Sequence, residues 1–241
     1  MVFRPIIYIL IFCSSCAGLR SSNPSSDKIS INLSQQGLHE VPNELKGNVT
    51  VKVLKLYGNK LTELPEWICE LESLEKLYIG KNQLKALPQS IGNLKNLKLL
   101  SAQYNDIDTL PNSIVELENL EQLILNQNKL KYLPDDIGKM KKLEILQLKF
   151  NEIKMLPSSI GDCEQMQFIY LNRNYLEEIP SSFGNMRKLR ELYLSSAGPL
   201  LSVPESMCGL RYFEVLEIDH SIVVPTCFLV LQTNRLKIIV H

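Results

Sequence analysis

Asparagine returns every 23 residues along this chain, at Asn59, Asn82, Asn105, Asn128, Asn151 and Asn174. Proline keeps the same interval at Pro42, Pro65, Pro88, Pro111, Pro134, Pro157 and Pro180, and Pro204 follows after one inserted residue. Apolar residues fill the positions between, which is why leucine accounts for 41 of the 241 residues. One unit, Leu74 to Asn96, reads LEKLYIGKNQLKALPQSIGNLKN. So regular a period calls for one short supersecondary element, copied and stacked on itself.

Each position in that unit has a physical reason. Leu77 and Ile79 alternate with Tyr78, so a short strand sends the two apolar side chains to one side and the phenol to the other. Asn82 leaves the strand where the backbone turns inward, and a buried amide that both donates and accepts can satisfy the backbone there. The repeated asparagines are therefore expected to form a ladder. Pro88 is expected at the first position of a short helical turn, where its fixed φ and missing N–H are tolerated. Ile91 and Leu94 then face inward from one side of that turn. A lone unit buries too few apolar side chains to offset the entropy of ordering 23 residues, so neighbours must supply the remaining burial.

The pattern L-x-x-L-x-L-x-x-N-x-L-x-x-L-P-x-x-I-G-x-L-x-x resembles the 23-residue class of leucine-rich repeats, over residues 28 to 239. The resemblance implies an α/β solenoid, curved, with a parallel sheet on the concave side and short helical or 3-10 turns on the convex side. Residues 28–241 would form it as about nine to ten repeats. Ile29 to Pro42 reads as the first unit, with Gln36 in place of the asparagine. At the far end Ala197 takes the asparagine position, and Phe213 to Ile218 begins a ninth unit. Leu231 to Ile239 aligns with Leu171 to Ile179 as a tenth, partial unit, while the path across residues 218–228 is too short for a normal convex arc.

The first twelve residues carry Arg4 and then an apolar run from Ile6 to Phe12, shorter than a bilayer span and of the length of a secretory leader. The following Cys13-Ser14-Ser15-Cys16 resembles the lipobox of bacterial lipoproteins, although Cys13 stands where that family prefers leucine. The resemblance implies a signal peptide at 1–15, a lipidated Cys16 and a Ser-rich tether over 16–27, on a protein at the bacterial outer membrane or cell surface. Plain secretion is the alternative. Removing residues 1–15 takes away one charged side chain, Arg4, and leaves 25 basic against 26 acidic. Electrostatics then gives no attraction to an anionic surface, and the balanced charge has no footprint for nucleic acid.

The sequence offers little chemistry. Three histidines, His39, His220 and His241, show no zinc spacing with cysteine, and neither a phosphate-binding glycine loop nor a Gly-x-Ser-x-Gly elbow occurs. No catalytic residue, metal or cofactor is expected, and the array leaves no room for an enzymatic domain. Cys163 falls on a core position. Cys69 and Cys208 lie six turns apart, beyond bonding reach, whereas Cys208 and Cys227 sit on adjacent turns and could pair. Spacing alone does not fix that pairing.

The function is therefore sought on the open face of the sheet. Strand periodicity projects Tyr57, Tyr78, Tyr104, Phe150, Phe168, Tyr170 and Tyr193 from the concave side, with Arg173 among them. Aromatic residues also favour strands for packing reasons alone. Tyrosine and arginine are nonetheless enriched where proteins bind proteins, and an open trough has no enclosed pocket for a small metabolite. The expected function is a binding module that recognises a protein or peptide through these residues. The same repeat also resembles the Ras-associated leucine-rich repeat proteins of eukaryotic cytoplasm, which makes an intracellular scaffold the alternative.

Overall fold

Ten short strands lie side by side in chain order and all run parallel. The computed structural model describes residues 29–231 and 236–241, so the leader, Cys16 and the tether lie outside the described residues. The strands are β1 (Ile29–Asn32), β2 (Val51–Lys55), β3 (Lys76–Tyr78), β4 (Leu99–Ser101) and β5 (Gln122–Ile124). They continue as β6 (Ile145–Gln147), β7 (Phe168–Tyr170), β8 (Glu191–Tyr193), β9 (Val215–Ile218) and β10 (Lys237–Val240). Leu77 pairs with Leu100, Leu100 with Leu123 and Leu123 with Leu146, so the register advances by one period per strand. A one-residue slip would bury Tyr78 and expose Leu77, which the shared core forbids.

The seven apolar positions of the unit at Leu74 are all buried: Leu74, Leu77, Ile79, Leu84, Leu87, Ile91 and Leu94. Copies of this set join in one continuous core from Leu33 to Leu236. Convex turns close each coil, such as the 3-10 segments Glu66–Glu70, Ile91–Asn93, Asn112–Glu116 and Ser158–Asp162. The prolines do not occupy the first helical position. Pro65, Pro111 and Pro157 sit one residue before the turn, at φ near −65° and an extended ψ of 142–144°, and their carbonyls accept its first N–H. An extended ψ is what an incoming chain needs to enter a turn. Glycine follows in several turns because the coils touch there: a Cβ on Gly161 would lie 2.3 Å from the Ser182 carbonyl oxygen.

Each ladder asparagine serves the coil before its own. Asn82 Nδ2 donates to the Leu56 and Ile79 carbonyls, 3.0 Å each, and its Oδ1 accepts from Leu61 N–H at 3.1 Å. Asn105, Asn128, Asn151 and Asn174 repeat these bonds. Asn59 makes them too, with Oδ1 shared by the amides of Gln36 and Leu38. Gln36 is exposed, since its coil follows no other in the described stack. At the other end the backbone replaces the side chain. Ala197 N–H donates to Leu194 carbonyl at 2.8 Å, and its carbonyl accepts from Leu176 N–H at 2.6 Å. That approach requires glycine next, because a Cβ on Gly198 would meet the Leu176 oxygen at 1.8 Å.

The C-terminal cap departs from expectation in register. After β9 the chain turns at Asp219–Ser221 and runs beside the previous coil, with Val203 and Val223 exchanging bonds through the Val223 and Leu201 carbonyls at 2.8 Å. Pro225 then opens a six-residue helix, α1 (Thr226–Leu231), where the other coils have a 3-10 turn. Leu216 to Pro225 is two residues shorter than Leu77 to Pro88, and this shortening accounts for the brief arc. The tenth strand is Lys237–Val240, so Ile238, paired with Leu216, holds the first core position. The alignment of Leu231 to Ile239 with Leu171 to Ile179 is thereby overturned, since Leu231 ends α1. Phe228 seals the coil against Phe213, ring centroids 5.7 Å apart, and a disulfide joins Cys208 to Cys227 across 6.0 Å between Cα atoms. Cys69 and Cys163 remain buried thiols, and burial pushes them up to about 11 and about 12, so both stay protonated.

Candidate functional site on the concave face

The concave strands present their half-buried side chains in columns, and the expected aromatics fall into unequal groups. Toward the C-terminal end Tyr170 on β7 and Tyr193 on β8 are register partners, and their rings stack at 4.6 Å and 17°. Lys149 Nζ lies over both rings, at 4.7 and 5.2 Å, a cation–π arrangement. Phe168 stands in the adjacent column of the same strand, between Ile145 and Glu191. At the N-terminal end Lys55 Nζ sits 5.8 Å from the Tyr78 ring, and Tyr57 lies against Gly80 so closely that a Cβ there would come within 3.2 Å of the ring.

Tyr104, Phe150 and Arg173 lie elsewhere. They share a column with Gln35, Lys81, Gln127 and Ser196, and these seven residues all have φ between 54° and 58°, with Gly58 of the same column at 71°. These left-handed residues stand at the rim, where the chain leaves the strand, and their N–H groups reach the next coil: Phe150 donates to the Asn172 carbonyl at 2.9 Å. The conformation disfavours side chains. It turns Tyr104 and Phe150 outward, 49% and 43% exposed, and brings Arg173 Cζ to 5.0 Å from the Phe150 ring. Tyr104 has no aromatic partner among the described residues.

Sequence reasoning missed the polar framework of this region. Tyr193 donates its hydroxyl to Glu191 at 2.8 Å. Burial first, and that carboxylate second, hold the Tyr193 phenol above its usual range; Tyr170 is raised by burial and by the charge of Glu191. Both rings therefore stay neutral hydrogen-bond donors at physiological pH. Next to them Glu217 Oε1 accepts from Asn172 Nδ2 at 2.6 Å and Ser195 Oγ at 2.8 Å, and His241 Nε2 lies 3.8 Å from Oε2. Asn172 Oδ1 is buried without a donor among the described residues. The strand columns contain these residues, but nothing in their types separates a network from a solvated face. A second omission lies on the limb that follows the asparagines. Tyr132 and Met155 occupy the same position of consecutive coils and, with Tyr175, are 54–59% exposed. Among the described residues no cluster of histidine, cysteine and acidic side chains could hold a metal ion.

This architecture defines a repeat protein of the solenoid class, with a parallel sheet facing an open trough. The family profile described as "Leucine-rich repeat region" matches residues 77–151 and 122–227, and the chain belongs to the leucine-rich repeat family. Among solved structures, a leucine-rich repeat protein of Leptospira interrogans superposes with a TM-score of 0.62 at 25% identity, over 86% of this chain and 64% of that one. The plant peptide hormone receptor RGFR1, in complex with RGF2, gives 0.68 at 30% identity, over 77% of this chain and 30% of the receptor. An internalin of Listeria monocytogenes gives 0.75 at 18% identity, over 87% of this chain and 60% of that one, a likeness of fold alone. The mouse leucine-rich repeat and calponin homology domain-containing protein 1 is 41% identical over 69 residues, or 29% of this chain. The chain spans about a tenth of the length of the curated relatives it matches.

Proposed function

We propose that this chain is a surface-anchored or secreted binding module of bacterial lipoprotein type, and that its concave face recognises a protein or peptide partner. The observation that carries the reading is the C-terminal half of the trough. Tyr170, Tyr193 and Lys149 form a stacked, half-buried platform beside Phe168, with Phe150 and Arg173 at its rim. Stacked rings lose little entropy on binding and offer large contact area with a polar edge, the composition of an interface hot spot. Tyr57, Tyr78 and Tyr104 extend the surface toward the N-terminal strands. An open trough suits a macromolecule better than a metabolite. The peptide-bound state of the plant receptor supports the same use of the fold.

The Cys208–Cys227 disulfide supports export over the intracellular scaffold, because cytosolic thiols are kept reduced. In this reading residues 1–15 are the signal peptide, Cys16 carries the lipid, residues 16–27 form the tether and 28–241 the binding domain. Catalysis has no part in it. The test is site-specific photocrosslinking on cells that express the full chain. A photoreactive residue at Gln147, on the open face of β6, should capture a protein partner, and one at Ser159, on the convex turn, should not. Capture from Ser159 alone contradicts the reading. Palmitate incorporation that disappears in Cys16→Ala tests the anchor separately, and label retained in that variant argues against it.

A further inference from the structure

The side chains of the trough are not arranged evenly in charge. On β2 and β3 the face carries Lys55 and Lys76, with Lys81 at the rim just beyond, and no acidic side chain accompanies them. The contrast with their neighbours is clear: Lys52 and Lys98, one position before the face, both pair with Glu75 at 3.4 Å. Lys55, Lys76 and Lys81 form no ion pair with a described residue. The face of β4 and β5 is uncharged, comprising Leu99, Ser101, Gln103, Gln122, Ile124 and Asn126. Lys149 and Arg173 follow, each lying over aromatic rings of its own sheet. The acidic side chains come last, with Glu191 on β8, Glu217 on β9 and Asp219 just after it, and Lys237 marks the outer edge on β10.

The three acids accept bonds from neutral donors, Tyr193, Asn172, Ser195, Ser196 and Ser221, which leave their charge in place. Hydrogen bonds from Ser221 and the Ser196 and Ser221 amides hold Asp219 below the usual carboxylate range. Glu217 forms no ion pair with a described lysine or arginine, and His241 Nε2 lies 3.8 Å from its Oε2. The trough face thus has a cationic end on β2 and β3, an uncharged stretch on β4 and β5, then Lys149 and Arg173 held over aromatic rings, and a far end where acids cluster.

We infer that the partner is a polypeptide segment laid across the strands, its acidic end over Lys55, Lys76 and Lys81 and its basic end over Glu191, Glu217 and Asp219. This rests on the concave-face reading and adds the chemistry and direction of what lies there. Charges spread this way set register and orientation more than total affinity. From β3 to β9 is six strand spacings of ~4.8 Å, close to 30 Å, which an extended chain covers with about nine residues.

Three fluorescein-labelled twelve-residue peptides of one composition test it on the full chain. Two carry Asp-Asp-Asp and Lys-Lys-Lys at opposite ends of Ser-Tyr-Ser-Ser-Tyr-Ser, in the two possible orders, and the third alternates Asp with Lys around the same centre. Anisotropy is read at about 10 mM salt, where charges are felt over ~30 Å. At least one block peptide should bind about ten-fold tighter than the alternating one, as several exposed charge pairs acting together predict. The Lys55→Glu, Lys76→Glu, Lys81→Glu variant, shown folded by circular dichroism, should lose that preference. A diazirine at the acidic end should crosslink to β2 and β3. Equal binding of block and alternating peptides, or binding by none, overturns the inference. Crosslinks on the strands without charge preference leave the concave reading standing and sink only the direction; crosslinks on convex turns sink both.

Discussion

At the scale of single residues, two kinds of polar position maintain the fold. The ladder asparagines are the first. Asn128→Leu leaves the Ile107 N–H without an acceptor and takes one of two donors from the Ala102 and Leu125 carbonyls, which keep Asn105 and Asn151; it should lower unfolding stability by about 1–3 kcal/mol in urea titration. Gln36→Leu, at the same position of the first coil, should change it by less than about 0.5 kcal/mol, because that side chain is exposed. Equal losses would refute the one-sided ladder. The left-handed rim is the second. Lys81, at φ 54°, is exposed, yet Lys81→Val should cost about 1–2 kcal/mol, and Lys81→Gly should cost nothing or stabilise. The tyrosine pair adds a pH dependence. Tyr193 keeps its proton more tightly folded than unfolded, so its contribution is complete below the ordinary tyrosine range near 10.0 and is lost as pH rises above it. Melting temperatures from pH 8 to 11 should fall less steeply for Tyr193→Phe than for the natural chain.

At the scale of elements, the regular coils could be read from sequence and the closing one could not. Period, strand face, core positions and asparagine placement all followed from side-chain alternation and a 23-residue spacing, which local chemistry enforces identically in each coil. The C-terminal coil loses that enforcement. Its leucine and isoleucine pattern fits two registers equally well, and the choice is made by Phe228 packing on Phe213 and by the Cys208–Cys227 bond, contacts between segments that no local pattern encodes. Ala197 likewise gave no hint that backbone would take over the asparagine's bonds. The site was half legible. Alternation located every concave aromatic, but the left-handed rim set Tyr104, Phe150 and Arg173 apart, and the Glu191 and Glu217 networks depend on neighbouring strands. The disulfide closes a loop of sequence separation 19, worth about 3 kcal/mol if strain-free. Cys208→Ser with Cys227→Ser should therefore speed amide exchange in β10 and α1 and leave β3 to β6 protected. Uniform acceleration along the chain would show that the cap is not a separate element.

At the scale of the whole molecule, a continuous core and an exposed sheet divide the work. The core consumes the leucines and makes each coil depend on its neighbours, so stability belongs to the stack. In the proposed reading, the half-buried side chains that remain on the concave side serve recognition. The most direct test of that division is the variant Tyr78→Ser, Tyr170→Ser, Tyr193→Ser, measured beside the natural chain for partner capture and for thermal unfolding. The account predicts that capture is lost, while far-ultraviolet circular dichroism is unchanged and the midpoint falls by a few degrees at most, since one stacked pair contributes only about 0.5–1.5 kcal/mol. Undiminished capture, or collapse of the fold on removal of these rings, would contradict it.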